Sequence, residues 1–191
     1  MSAETDSQAS LLSRMVRASR LDIDLYEEVE HDTSANAQAL AVIVIASLAA
    51  GIGGAIAGGI ENGGLDWLWG LLIGLGSAIF GWLVWALFAY WIGTTMFKGE
   101  HTEATYGQLL RTLGFANAPG VLRIFSFIPF IGGFIAFVSL VWILVAGVIA
   151  VRQALDFTTG RAIATCIVGW LIYVLLMLLL SGLVLGAAVL F

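Results

Sequence analysis

Charge is what this sequence lacks most. Asp, Glu, Lys and Arg make up 11% of its 191 residues, where a soluble domain carries about a quarter. Runs with no charge at all extend over 33–60, 67–97, 124–151 and 162–191. A spanning helix needs only about 20 apolar residues, so the runs indicate an integral, multi-pass α-helical membrane protein. They show no period-two alternation, which excludes a transmembrane β-barrel.

Other scarcities exclude further chemistry. The single cysteine, Cys166, rules out an intramolecular disulfide and sits inside the last apolar run, where it reads as a small packing residue. The two histidines, His31 and His101, both lie outside the runs, so no histidine pair can hold a haem between helices. Glu100-His101-x-Glu103 could offer three metal ligands, but neighbours in a polar loop read better as solvated residues. No Ser/His/Asp arrangement is visible. We therefore expect no enzyme, no metal and no cofactor. No carboxylate lies within a run, which speaks against a proton relay. Basic clusters are also missing, and with them any expectation of nucleic-acid binding. The first 35 residues lack a basic segment followed by a short apolar core, so no secretory signal is expected.

The net charge of −5 is concentrated. Asp22, Asp24, Glu27, Glu28, Glu30 and Asp32 crowd the segment before the first run, which argues against its docking on anionic lipid. Leu11, Leu12, Met15, Val16, Leu21, Leu25 and Val29 recur there with helical spacing. Residues 1–36 thus read as a cytoplasmic tail with an amphipathic acidic helix, or two, at the membrane surface or on the bundle.

Residues 37–191 read as an all-α transmembrane domain of five helices, with spans at about 37–60, 67–93, 107–129, 131–152 and 162–191. Glycines crowd the end of the first span, where Gly54 and Gly58 form a small-xxx-small pair; Gly182 and Gly186 form another in the last. Both suit close helix contact, within the chain or with a partner. Trp67, Trp69, Tyr90 and Trp91 suit the two interfaces of the second span.

Both prolines fall in one segment, LGFANAPGVLRIFSFIP, residues 113–129. Arginine and lysine counts decide whether this segment crosses. Arg14, Arg17 and Arg20 precede the first span, Lys98 and Arg111 follow the second, and Arg152 and Arg161 lie between the last two runs. The positive-inside rule places all three groups in the cytoplasm. An even number of crossings must then separate residues 94–112 from 152–161, so the proline-containing segment is a span. The expectation is an N-terminus inside, a C-terminus outside and a third helix broken at Pro119 and ended by Pro129. Asn117 would cap its second half, and Pro119 costs little in a first turn.

Broken helices sometimes form ion or substrate sites; a kinked span packed on its neighbours is the plainer reading. Arg123 is about 9 Å from Pro129 along a helix and can snorkel to the outer headgroups. It could instead pair with Glu61 or Asp66, or contact a substrate. Arg111, Arg152, Asp156 and Arg161 complete the candidate functional charges.

The quoted pieces also resemble a known family. Tyr106…Leu109-Leu110-Arg111, Gly114-Phe115-Ala116-x-Ala118-Pro119, Ile128-Pro129 with its following glycines, and Val151-Arg152-Gln153-Ala154-Leu155-Asp156-Phe157 leading to Gly160-Arg161-Ala162 are similar to the core of the Yip1 family. Asp24-Leu25-Tyr26 and the acidic run resemble its start. The resemblance implies five transmembrane helices and a cytoplasmic N-terminus. For eukaryotic members it implies vesicle traffic and association with Rab-type GTPases. Those members carry Gly-Pro after Asp-Leu-Tyr, where this chain has Glu27-Glu28, and the bacterial members are the nearer match. The expected location is a bacterial inner membrane, with an ER or Golgi membrane as alternative. The expected role is a non-enzymatic scaffold or accessory subunit whose partners are membrane lipids and other membrane proteins or itself. The alternative is a small transporter, channel or lipid-translocating protein using the broken helix.

Overall fold

A computed structural model of the chain describes residues 10–57, 66–99 and 102–190; for 66, 176, 177 and 179–190 only the backbone course is described. Among the described residues the elements are α1 (Leu11–Ser19), α2 (Ile23–His31), α3 (Ala35–Ala57), α4 (Asp66–Thr95), α5 (Tyr106–Phe115), a 3₁₀ helix (Ala118–Phe127), α6 (Gly132–Ala154) and α7 (Thr159–Leu190). Three helices are long and apolar enough to cross a membrane, at Ala35–Ala57, Trp67–Thr95 and Gly132–Ala154, and α7 adds an apolar stretch at Thr159–Leu175.

The short helices begin where side chains satisfy their free N–H groups. Ser10 accepts from the Ser13 N–H, and Asp22 accepts from the Asp24 N–H. Thr105 and Gln108 form a reciprocal capping box at the start of α5. Left-handed residues stop the chain at three points: Leu21 after α1, Phe130 before α6 and Asp156 after it.

The proline segment departs from expectation. The α-helix stops at Phe115, before either proline, and the second half winds as 3₁₀ rather than α. Pro119 does stand in the first turn of the new helix. Asn117 does not cap it, because its Nδ2 donates back to the Leu113 carbonyl at 2.9 Å.

This segment lies along α3. A Cβ on Gly114 would come within 2.6 Å of Ala39 Cβ, one on Gly120 within 3.3 Å of Ala46 Cβ, and one on Gly53 would strike the Arg123 carbonyl. Ala39, Ala46 and Gly53 are seven residues apart, two helical turns, so they form one small-residue stripe. Fourteen residues of α3 rise about 21 Å. The nine steps from Gly114 to Arg123 would rise about 14 Å as α-helix and about 18 Å as 3₁₀, so the 3₁₀ winding comes nearer to matching the stripe. Beyond Phe127 the chain turns through Phe130, and Gly132 lies against the Ser126 backbone. Helix α6 then runs back beside the segment it has just left.

Helix α1 packs chiefly on the 3₁₀ helix, and α2 on α5 and α6. Leu25, Tyr26 and Val29 are fully buried there, so the N-terminal layer is part of the bundle's core. Gly58 and Glu61, with the polar turn around it, lie outside the described residues, as do Glu100 and His101.

Candidate functional site

A cavity of about 660 Å³ sits between α3, α4, the proline segment, α6 and α7. Sites that hold small molecules span about 300–1,000 Å³. Its wall is mostly aliphatic and aromatic, including Ile43, Trp82, Trp85, Ile143 and Trp170. Trp82 is fixed by its Nε1, which donates to the Leu110 carbonyl at 3.1 Å. Gly81 and Gly147 line the space with nothing within 4 Å of a Cβ placed on either. Leu144, Ile167 and Trp170 stand along it and are each more than half exposed, so the cavity is open to the surroundings of the bundle.

The polar part of the wall comes from the 3₁₀ winding. In such a helix residues three apart eclipse one another. Asn117, Gly120 and Arg123 therefore fall on one ridge, and all three line the cavity. In an α-helix the same three residues would drift by about 60° at each step, over a face of about 120°. Ser47, Cys166 and Tyr173 add further polar atoms, and no carboxylate is among the described lining residues. Arg123 is exposed, at the level of Gly53, about 27 Å along α3 from Ala35 at 1.5 Å per residue. Among the described residues it makes no ion pair and no side-chain hydrogen bond.

The other arginine and aspartate candidates stand elsewhere. Arg111 is buried at the far end, where its Nε donates to the Val29 carbonyl at 2.9 Å and its Nη2 to that of Glu30. It thus binds the last carbonyls of α2, which have no partner within their own helix. A third bond reaches Asn36 Oδ1 at 3.3 Å. Asp156 ends α6 in a left-handed conformation, with its N–H on the Gln153 carbonyl. Arg152 is half-buried near the close of α6, and Arg161 lies against Gly99. Gly54 meets nothing within 4 Å, whereas its neighbour Gly53 takes the close contact. Gly58 lies outside the described residues, and so do the surroundings of Gly182 and Gly186 in α7.

The acidic N-terminal layer is partly neutralised from within, at Asp22, Glu28 and Asp32. Arg14 pairs with Glu28 and Asp32, both at 2.8 Å, and donates to Gln38 at 2.9 Å. Arg17 pairs with Asp22 at 2.7 Å and Glu28 at 2.6 Å. Hydrogen bonds from Arg17 hold the Asp22 carboxyl below its ordinary value. Glu30 behaves oppositely. It is buried, accepts from Gln108 Nε2 at 2.9 Å and is pushed up to about 7 by burial, then by the Glu27 and Asp156 charges. His31 and Arg111 pull the other way.

One sequence signal could have located the polar ridge. Asn117, Gly120, Arg123 and Ser126 recur every three residues in an otherwise apolar segment, a period that suits 3₁₀ better than α. Neither the small-residue stripe of α3 nor the cavity itself was anticipated.

Residues 24–186 match the family model of the Yip1 domain. No curated protein and no solved structure matches the chain.

Proposed function

The chain belongs to the Yip1 family of membrane proteins, and we propose that it is a non-enzymatic lipid-binding member, holding the apolar part of a membrane lipid between its helices. The observation that carries this is the open, apolar cavity shared by α3, α4, the proline segment, α6 and α7. An acyl chain is the apolar molecule always present beside such an opening. Its transfer from one apolar medium to another costs little, so packing against the cavity wall suffices to hold it.

In this reading the proline segment is the third of five spans. Its register along α3 supports that, as does the parity of the basic residues. The N-terminal layer is cytoplasmic and the Arg123 end lies outside, in a bacterial inner membrane. Exchange of lipid through the cavity, and hence translocation, is the natural extension of such a site.

The test is to purify the full chain in mild detergent and read the retained lipid by native mass spectrometry. Gly81→Leu and Gly147→Leu each place a side chain in open space within the cavity. Each should fold and lose lipid by about tenfold, the effect of about 1.4 kcal/mol. Lipid retention unchanged in both variants would sink the proposal.

A scaffold role is the second reading, favoured by the exposed apolar side chains of Leu12 and Val16 one turn apart on α1. Such a stripe suits another membrane protein subunit or a second copy of the chain. A strictly monomeric particle with no co-purifying protein counts against it.

A further inference from the structure

We infer that Arg123 recognises the headgroup of the bound lipid and that this lipid is anionic, with its phosphate or carboxylate at the rim of the cavity and its chain inside. The inference rests on the lipid-binding reading of the cavity and adds the identity of the ligand.

The charge pattern of the wall is the starting point. Among the described residues Arg123 is the one charged residue lining the cavity. Arg14 and Arg17 of the N-terminal layer bind carboxylates and Arg111 of α5 binds backbone carbonyls, whereas Arg20, Arg152 and Arg161, also without an ion pair among the described residues, lie outside the cavity wall. Among the described residues Arg123 has no such partner. A cation near the edge of hydrocarbon is costly until it is hydrated or paired.

Guanidinium matches phosphate and carboxylate through two parallel N–H donors, and such charge-assisted bonds are roughly twice as strong as neutral ones. The ridge geometry supplies the positioning. Arg123 stacks one 3₁₀ turn beyond Gly120, whose missing side chain keeps the ridge low against Ala46 and Ile143. The Arg123 backbone is gripped in turn by Gly53. Its level, about 27 Å along α3, corresponds to the far edge of a hydrocarbon core about 30 Å thick. A headgroup there and a chain running inward would fill both the polar rim and the apolar interior.

The absence of acidic side chains among the described lining residues sets the selectivity. A zwitterionic head carries its own cation, which finds no carboxylate among them and faces Arg123 as a like charge. An anionic head without a cation has only the favourable contact.

The experiment uses the full chain in detergent with lipids of identical acyl chains, phosphatidylglycerol and phosphatidylcholine, read by native mass spectrometry. The wild-type chain should favour phosphatidylglycerol by about tenfold. Arg123→Gln should abolish that preference while binding phosphatidylcholine as before, which also reports that it is folded. Arg123→Lys keeps the charge without the fork and should retain part of the preference.

Equal binding of the two lipids by the wild-type chain, or an unchanged preference in Arg123→Gln, overturns the inference. Should Arg123→Gln not fold, the wild-type ratio and Arg123→Lys still decide. Inorganic phosphate that binds as well without lipid, or displaces phosphatidylglycerol at equal concentration, makes this a free-anion site and overturns the lipid assignment. If neither lipid binds the wild-type chain, the cavity reading itself has failed, an outcome distinct from lost selectivity.

Discussion

Gly53 of α3 lies directly against the main-chain carbonyl of Arg123, with no room for a Cβ between them. A methyl group there must push backbone rather than a yielding side-chain tip. Gly53→Ala should therefore destabilise the bundle by about 1–3 kcal/mol, the usual cost of overpacking. Gly54→Ala meets open space and should be neutral or slightly stabilising, since Ala favours a helix interior. Unfolding in a graded mixture of mild and denaturing detergent compares the two; equal effects would refute the contact.

Arg111 closes the end of α2 by binding two of its carbonyls. Arg111→Ala leaves those acceptors buried and unpaired and should cost about 2–3 kcal/mol. Lysine presents one ammonium where guanidinium presents a fork, so Arg111→Lys should recover only part. Limited proteolysis of residues 10–32 should accelerate in both, most in the alanine variant.

Arg14 holds Glu28 and Asp32 together, and its own side chain is only 6% exposed. A double-mutant cycle of Arg14→Met with Glu28→Gln should give a coupling of about 1 kcal/mol, reduced by the exposure of Glu28. A coupling indistinguishable from zero would make the pair incidental.

Glu30 sets a pH dependence of known sign. Its ordinary value is 4.5, and burial beside Glu27 raises it to about 7 in the folded chain. Between those values the folded state holds a proton that the unfolded state has released, so stability falls as pH rises through this window. Glu30→Gln removes the penalty. It should raise the melting temperature at pH 8 and leave it nearly unchanged at pH 5; an equal effect at both pH values would contradict the assignment.

The long helices were legible because one physical requirement, an apolar run as long as a bilayer, dominates their composition. The expected 131–152 became Gly132–Ala154, and 67–93 became Asp66–Thr95. The amphipathic tail was legible for a similar reason, from the spacing of Leu25 and Val29. What those helices touch was not. Arg111 and Arg14 counted in the sequence only as positive charges, whereas their roles depend on carbonyls and carboxylates brought near by folding. The close contact on α3 was not legible either, because a small-xxx-small pair has glycines four apart, whereas the stripe is Ala39, Ala46 and Gly53 at intervals of seven. The cavity left no trace, since Ile43, Gly147 and Trp170 look like ordinary packing residues on separate helices. Arg123 stands out in the sequence as a lone cation, but the 3₁₀ winding that places it on the cavity wall does not.

That winding has a mechanical side. Ten residues coiled as 3₁₀ stretch about 20 Å, where the same ten as an α-helix would measure about 15 Å. Ala118–Phe127 is therefore held about 5 Å longer than its α-helical length, packed against α3 and α6. Were it to recoil, Phe127 would retract by about 5 Å and pull the Phe130 turn with it. The small-residue stripe of α3 works like a toothed rail, and its last tooth, Gly53, keeps the strut from shortening.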